Sequence, residues 1–175
     1  MQSFRRLETA VAVAVTVAGV LWHFVYGWSG DNRVVAAIAP ANESVWEHLK
    51  LVLIPVVALA AVEALWVADR RRLWWAKLVE VVAASGFIVA FFYTYTGALG
   101  VDSVVAVDIL SYVTAIAGGQ WLSYRILTSP TARSAPLAVS AAALGLLVVA
   151  FGVLTFAPPH VPLFREVGTG TYGPA

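Results

Sequence analysis

Long apolar runs, separated by short polar segments, dominate this chain of 175 residues. Five of the runs are close to the length of about 20 residues that a helix needs to cross a bilayer. They cover residues 7–28, 44–68, 75–99, 101–127 and 136–157. The pattern predicts an all-α integral membrane bundle of five transmembrane helices in residues 1–157, followed by an extracytoplasmic C-terminal tail in residues 158–175.

Positively charged side chains are distributed unevenly between the two ends of these runs. One side has seven arginines: Arg5, Arg6, Arg70, Arg71, Arg72, Arg125 and Arg133. The other side has only Arg33, Lys50 and Arg165. Because loops rich in arginine and lysine stay in the cytoplasm, we expect a multi-pass protein of the cell membrane with its N-terminus inside and its tail outside.

Composition supports the membrane assignment and excludes several kinds of function. Hydrophobic residues make up 61% of the chain and charged residues 12%, about half the charge of an ordinary soluble domain. A formal net charge of +1 excludes a strongly basic nucleic-acid binder, so membrane lipids are the expected partners. The absence of cysteine excludes disulfides, thiolate metal sites and a cysteine nucleophile.

Three acidic residues near the arginine-rich side have basic neighbours within reach of a long side chain. The expected pairs are Glu8 with Arg5, Glu80 with Lys77, and Glu63 with the arginines at 70–72. This interpretation treats the three acids as anchors at the membrane surface.

The polar string SVWEHLK at residues 44–50 runs directly into the second apolar stretch. Charges at the mouth of a spanning helix are costly unless they are used. Helix capping explains part of the string, because Ser44 and Glu47 match the capping box. Capping leaves His48, Lys50 and the more deeply placed Asp108 without a role.

The three histidines of the chain all map to the side of the membrane that carries this string. Imidazoles and carboxylates from different helices, without a thiolate, suit zinc or another divalent metal. We therefore consider His23, His48 and His160 as metal ligands. The alternative for a single histidine such as His23 is an ordinary hydrogen-bonded residue of the core.

Four residues on the same side are candidates for catalysis: Glu43, Glu47, Lys50 and Asp108. Glu43 and Glu47 are spaced i, i+4, which predicts a shared helix face that Lys50 continues at i+7. Either glutamate is a candidate base for a metal-bound water. The motif His-Glu-x-x-His is absent from the sequence.

Asp108 lies about two turns inside the fourth span, where an unpaired carboxylate is expensive. We expect it to face the interior of the bundle. The expected partners are His48, Lys50 and Tyr93.

Two further features concern packing. Pro55 removes a backbone donor within the second span and frees the carbonyl of Leu51, which predicts a kink. Ala115-x-x-x-Gly119 presents a small-residue face for close helix contact, and such faces also support homo-oligomers. The glycine-rich tail predicts turns, and it is interpreted either as a lid over the polar site or as a disordered end.

Several segments together resemble a known group of proteins. They are His23-Phe24-x-Tyr26-x-Trp28, the string from Asn42 to Lys50, Pro158-Pro159-His160 and Thr171-Tyr172-Gly173. Across nearly its whole length the chain resembles an uncharacterised family of small prokaryotic multi-span membrane proteins, a domain of unknown function. The resemblance implies no activity, but it implies that the first span, the string and the tail form one unit.

Three functions remain open at the level of the sequence. The first is a membrane hydrolase that uses a divalent metal, such as zinc, at an outward-facing site of histidine, glutamate and aspartate residues. The second is a small transporter or a proton or cation relay through Asp108, Glu47 and His48. The third is a non-catalytic subunit of a membrane complex.

Overall fold

Eight α-helices form the protein in a computed structural model, which describes residues 2–174 and their side chains from residue 6 onward. The helices are α1 Gln2–Trp22, α2 Val25–Trp28, α3 Arg33–Ala36, α4 Val45–His48, α5 Lys50–Glu63, α6 Arg70–Leu99, α7 Val105–Thr128 and α8 Leu137–Phe156. A 3-10 turn at Pro162–Phe164 lies in the tail. Within the described residues the extended backbone makes only two isolated bridges. The predicted all-α class is confirmed.

Among the described residues, four helical segments are long and apolar enough to cross a membrane, as expected for a membrane protein. They are Val45–Glu63, which combines α4 and α5, then Arg70–Leu99, Val105–Thr128 and Leu137–Phe156. The first predicted run also becomes helical, but a turn at His23 and Phe24 divides it into α1 and α2. The count of five spans and the orientation stay predictions.

Helices α6 and α7 form an antiparallel hairpin that packs along its length. Helix α6 ends at Gly100, whose φ of 65° is a left-handed conformation that glycine adopts without strain. The amides of Gly100 and Val101 both donate to the carbonyl of Thr96. This compact end closes the predicted hairpin between the third and fourth runs.

A band of apolar side chains fills the middle of the bundle. It is built from Val15 on α1, Val52 and Val56 on α5, Ala84 on α6 and Ile116 on α7, all nearly inaccessible to solvent. Polar side chains gather beyond this band at both ends. We call the end that carries His23 and His48 the histidine end, and the end that carries Arg70, Arg71 and Arg72 the arginine end.

The arginines at the arginine end contact the backbone of the loop between α7 and α8. Arg71 donates to the carbonyls of Ser134 and Ala135, and Arg72 donates to the carbonyl of Ser129. The predicted pairing of Glu63 with these arginines is wrong. Glu63 points inward and pairs with Lys77, with 2.9 Å between the Lys77 Nζ and Glu63 Oε1 atoms.

The other two expected pairs at this end have different outcomes. Glu80 Oε2 lies 3.1 Å from Lys77 Nζ, which confirms the one-turn pair. Glu8 accepts a hydrogen bond from the Gln120 amide at 2.5 Å. The expected partner of Glu8, Arg5, lies outside the described side chains.

Pro55 lies within α5, and the carbonyl that it frees is used by a neighbouring helix. The Tyr112 hydroxyl on α7 lies 3.3 Å from the Leu51 carbonyl and 3.3 Å from the Val15 carbonyl. A methyl group at Gly19 would lie 1.9 Å from that hydroxyl. Glycine is therefore required where α1 passes Tyr112 and the Leu51 carbonyl.

The small-residue face predicted on α7 brings this helix close to α6. A Cβ atom at Gly119 would lie 3.0 Å from the backbone oxygen of Glu80, and Ala115 is 3% exposed. By contrast, a Cβ at Gly118 would meet no atom within 4 Å. The Ala115 and Gly119 face is thus occupied inside the chain.

The tail folds back over the histidine end. Phe164 is 6% exposed, and its ring centroid lies 4.7 Å from that of Trp46, which also stacks on Phe151 at 4.1 Å. Asn42 donates to the carbonyl of Gly173 at 2.7 Å. Packing of the tail against residues 42–50 therefore agrees with the unit that the resemblance implied.

Candidate metal centre at the histidine end

Two histidines from different helices meet at this end of the bundle. His23 lies in the turn after α1, and His48 ends α4. Their Nε2 atoms are 3.2 Å apart. The shared depth of the two histidines in the sequence predicted this meeting.

The hydrogen bond on the far side of the His48 ring fixes its tautomer. His48 Nδ1 lies 2.9 Å from the carbonyl of Ser44. A carbonyl can only accept, so Nδ1 carries a proton, and in the neutral ring Nε2 presents a lone pair. Histidines that bind metals commonly donate their other ring N–H to a carbonyl or carboxylate in this way.

Glu43 completes a compact set of three potential ligands with the two histidines. Its Oε2 atom lies 3.3 Å from His48 Nε2, and its Oε1 atom lies 3.7 Å from His23 Nε2. One donor atom from each residue can be chosen so that all lie within 4.8 Å of one another. We call these three residues the His–Glu group.

The spacing of the His–Glu group matches that of ligands around a small tetrahedral ion. Zinc binds imidazole nitrogen and carboxylate oxygen at about 2.0–2.2 Å, which places two tetrahedral ligands roughly 3.3 Å apart. The observed separation of 3.2 Å between the two Nε2 atoms is close to this value. The same contact is an ordinary hydrogen bond when His23 Nε2 carries a proton.

Glu43 stays ionised in this environment. Its hydrogen bonds, first to His23 and then to His48, hold the pKa of the carboxyl well below its usual range. The side chain is 56% exposed, so solvent weakens these interactions. A carboxylate that is so readily ionised suits a ligand better than a general base.

Glu43 and Glu47 do not share a helix face, contrary to the i, i+4 prediction. Ser44 is the N-cap of α4 and its side chain accepts from the Glu47 amide at 3.3 Å. Glu43 therefore precedes the helix, and its side chain turns toward the histidines. The capping prediction is correct for Ser44, but the Ser44 amide donates to the Asn42 side chain at 2.9 Å instead of to Glu47.

Glu47 and Lys50 form a buried ion pair beneath the His–Glu group. Lys50 Nζ lies 2.7 Å from Glu47 Oε2, and the two side chains are 0% and 2% exposed. The hydroxyl of Thr155 on α8 lies 2.6 Å from Lys50 Nζ and 2.7 Å from Glu47 Oε1. We call these three residues the anchor network.

The anchor network holds the chain between α3 and α4 in place. Lys50 Nζ also donates to the carbonyls of Ala36 and Ala39, at 2.6 Å and 3.2 Å. Glu47 Oε2 accepts from the Ala41 amide at 2.9 Å. Because both Glu47 oxygens are occupied, this geometry favours a positioning role for Glu47 and Lys50 over acid–base chemistry.

Thr155 is the member of this network that the sequence reasoning missed. It lies 105 residues after Lys50, within an apolar run that offered no reason to single it out. The available signal was weak: it is the last hydroxyl in that run, and it lies at the level of the string. Its partners depend on tertiary packing.

Asp108 has partners other than those expected. Its two carboxylate oxygens accept from the hydroxyls of Tyr95 and Ser103, each at 2.5 Å. Tyr95 is 9% exposed, whereas Tyr93 is 38% exposed, because residues two apart on a helix face in different directions. The Tyr95 oxygen also accepts from the Val104 amide, so Asp108 fastens the α6–α7 connection.

His160 does not join the His–Glu group. Its ring packs against that of Tyr172, with 4.6 Å between centroids. The described part of the chain contains one cluster of potential metal ligands, and His160 is not in it. Among the described residues, no second ligand therefore lies with His160 in a cluster that could hold a metal.

A cleft of about 400 Å³ opens beside the His–Glu group. Aromatic residues Phe24, Tyr26 and Trp28 line it together with His23 and Glu43, and Glu166 of the tail contributes to its wall. Hydrogen bonds, first from Thr169 and then from Thr171, lower the pKa of Glu166. The cleft thus combines an apolar lip with negative charge.

Comparison with known proteins identifies the family. A family model described as a family of unknown function, DUF6512, matches residues 4–174. The chain belongs to DUF6512. Neither the curated proteins nor the solved structures contain a match to this DUF6512 chain. The resemblance to an uncharacterised family is confirmed, and the match spans helices, string and tail.

Proposed function

We propose that this DUF6512 protein binds a divalent metal such as zinc through His23, Glu43 and His48. The separation of 3.2 Å between the two histidine Nε2 atoms, with a carboxylate beside both, carries this proposal. Three protein ligands leave one tetrahedral position for water or substrate, as in catalytic zinc sites. The ligands come from two segments, and the anchor network positions the one that carries Glu43 and His48.

The topology in this proposal has five membrane spans, with the N-terminus in the cytoplasm and the tail outside. Helix α1, with 21 residues, is the span that this topology adds to the four membrane-length segments. The arginine distribution supports this orientation. In this orientation, the His–Glu group lies at the outer end of the bundle in the cell membrane.

Hydrolysis at the membrane interface is the reaction class that fits this site best. A divalent metal would lower the pKa of its bound water and polarise a carbonyl. The residues hold the ligands, and the His48–Ser44 hydrogen bond orients the imidazole. The aromatic lip of the cleft, with Trp28 69% and Phe24 51% exposed, suits a lipid-derived or other amphiphilic substrate.

A relay through Asp108, Glu47 and His48 receives less support. Glu47 is engaged by Lys50, Thr155 and the Ala41 amide. Asp108 is engaged by Tyr95 and Ser103. The apolar band lies between this end and Gln120, so no continuous polar path joins the two ends among the described residues.

Metal analysis of the purified protein tests the proposal directly. Wild-type protein is equilibrated with zinc, and bound zinc and affinity are measured. We expect His23→Ala, Glu43→Ala and His48→Ala each to weaken binding by more than about 100-fold, since loss of even an outer-shell partner costs roughly 10–100-fold. His160→Ala is the matched control, and it should retain wild-type affinity.

Two results would contradict the proposal. One is the absence of stoichiometric zinc or other divalent metal in the wild-type protein. The other is an equal loss of metal in His160→Ala and His48→Ala. Hydrolysis is tested separately, with metal-loaded and chelator-treated protein on amphiphilic esters and amides; identical background rates would remove the hydrolase assignment and leave a metal-binding protein.

A further inference from the structure

A second group of charged residues lies inside the bundle, toward the arginine end. It consists of Glu8 on α1, Glu63 at the end of α5, Lys77 and Glu80 on α6, and Gln120 on α7. Each of these side chains belongs to a residue that is at most 4% exposed. We call these five residues the interior charge cluster.

Lys77 lies at the centre of the interior charge cluster. Its Nζ atom is 2.9 Å from Glu63 Oε1, 3.1 Å from Glu80 Oε2 and 3.4 Å from Gln120 Oε1. The other end of the Gln120 amide donates to Glu8 Oε2 at 2.5 Å. Four helices therefore meet through one connected polar group.

The charges in this cluster do not balance. The cluster contains three carboxylates and one ammonium group, so full ionisation would leave two excess negative charges in the interior. A buried charge without a counter-charge is far more expensive than a protonated acid. Each excess charge must be neutralised by a proton or by another cation.

Polar atoms without partners indicate where neutralisation occurs. Within the described residues, Glu8 Oε1 and Glu80 Oε1 accept no hydrogen bond and are buried. The Ser123 hydroxyl, one turn beyond Gln120, is 0% exposed. It lies beside the Glu80 carboxylate but makes no hydrogen bond of normal geometry to any described residue. A proton on a carboxyl group would turn one of its oxygens into a hydrogen-bond donor. On Glu80, the neighbouring Ser123 hydroxyl would be available as the acceptor.

The arrangement does not suit a single metal ion. Among the described residues, the His–Glu group is the only set of three potential ligands whose atoms converge within 4.8 Å. The carboxylates of Glu63 and Glu80 instead contact the Lys77 ammonium, and Glu8 joins them through Gln120. A divalent ion bound by oxygen needs its ligands gathered about one point.

We propose that the interior charge cluster is a proton-binding site, in which Glu8, Glu63 and Glu80 share two exchangeable protons around Lys77. Ionisable residues inside membrane spans commonly mark proton pathways. This site is separate from the His–Glu group and does not depend on the metal there.

The structure also indicates the side from which protons reach the cluster. A cleft of about 310 Å³ opens at the arginine end and is lined by Leu7, Trp66, Asp69 and Arg72, among others. Leu7 adjoins Glu8 in the sequence, and Trp66 lies three residues after Glu63. On the opposite side, the apolar band separates the cluster from the histidine end. We therefore expect protons to exchange with the arginine end.

Infrared spectroscopy of the purified wild-type protein tests for the bound protons. The carbonyl stretch of a protonated carboxylic acid is resolved from that of a carboxylate, and its intensity is followed as the pH is raised from neutrality. We expect a protonated-acid signal at neutral pH that falls in Glu8→Gln, Glu63→Gln or Glu80→Gln. We expect Lys77→Met to increase it, because a third proton is then needed.

Asp108→Asn is the control, since this acid lies at the histidine end and is bound by two hydroxyls. It should leave the neutral-pH signal unchanged. The proposal is overturned if wild-type protein has no protonated-acid signal at neutral pH, or if all three glutamine variants keep the full signal. A thermal midpoint that rises with sodium or magnesium at constant ionic strength, without a protonated-acid signal, would assign the site to a cation instead. The wild-type measurement holds even where a variant fails to fold.

Discussion

One N-cap residue determines what Glu43 and Glu47 do. Ser44 starts α4, so Glu43 precedes the helix and reaches His23 and His48, while Glu47 enters the helix and turns inward. There it meets Lys50, which is 0% exposed. A buried ion pair of this kind is strongly destabilised when one partner is removed. The pair therefore fixes the position of the neighbouring ligands.

Gly19 offers a test of packing at the scale of one residue. The Cβ of alanine at this position would lie 1.9 Å from the Tyr112 hydroxyl and 2.7 Å from the Leu51 carbonyl. Gly19→Ala must therefore push α1 away from Tyr112 and the Leu51 carbonyl. We expect a loss of about 1–3 kcal/mol, typical of overpacked cores, measured by unfolding in detergent.

The matched control is Gly86→Ala in α6, where a Cβ would meet no atom within 4 Å. Alanine is a better helix former than glycine, so this variant should be neutral or gain up to about 1 kcal/mol. Tyr112→Phe removes the clashing oxygen and should restore part of the stability of Gly19→Ala. Equal stability of the two alanine variants would show that α1 and α7 are not in close contact there.

At the scale of elements, apolar runs predicted the long helices well but not their interruptions. The run at 75–99 corresponds to Arg70–Leu99, which starts earlier because Asp69 accepts from the Arg72 amide and caps it. The run at 7–28 is divided at His23. Hydropathy does not record a turn between two apolar helices, and this turn is what places His23 in the site.

From the sequence, the candidate site could be predicted only for residues that lie at the same depth along their predicted spans. His23 and His48 share a level in the membrane, so their meeting could be expected. Glu43 was assigned by helical spacing, which does not apply before an N-cap. Lys77 and Glu63, 14 residues apart, meet because α5 and α6 pack antiparallel, and local sequence gives no measure of that contact.

The tail is an element whose docking can be tested through Phe164. This residue is 6% exposed and packs on Trp46. Replacing a buried phenylalanine by alanine costs about 3–5 kcal/mol in protein cores. We expect hydrogen exchange of residues 162–173 in Phe164→Ala to accelerate by about tenfold or more, since each factor of ten requires only about 1.4 kcal/mol.

Phe87→Ala serves as the control for Phe164→Ala. Phe87 lies on α6, is 40% exposed and stacks on Phe91. Its replacement should leave exchange in the tail unchanged. If Phe164→Ala also leaves the tail protected, then the bridge between Ser44 and Glu166 and the Asn42–Gly173 hydrogen bond hold the tail without the aromatic contact.

At the scale of the whole molecule, the apolar band separates two polar ends with different chemistry. The histidine end has two imidazoles and a half-exposed carboxylate, which suit a metal. The arginine end encloses excess acid, which suits protons. Because the two ends share no polar path among the described residues, we expect substitutions in one group to leave the other group's ligand binding unchanged.

Orientation in the membrane decides which compartment each end meets, and the sequence makes it directly testable. The chain has no cysteine, so single cysteines can be introduced without a background. Thr131 lies in the exposed loop at the arginine end, and Asp102 lies in the exposed loop at the histidine end. Since the arginines at 70–72 favour the cytoplasm, an impermeant thiol reagent added to intact cells should label Asp102→Cys and should label Thr131→Cys only after permeabilisation.

Labelling of Thr131→Cys alone in intact cells would reverse the orientation and place the His–Glu group at the cytoplasmic face. Labelling of both from outside would mean that an odd number of spans does not separate the two loops.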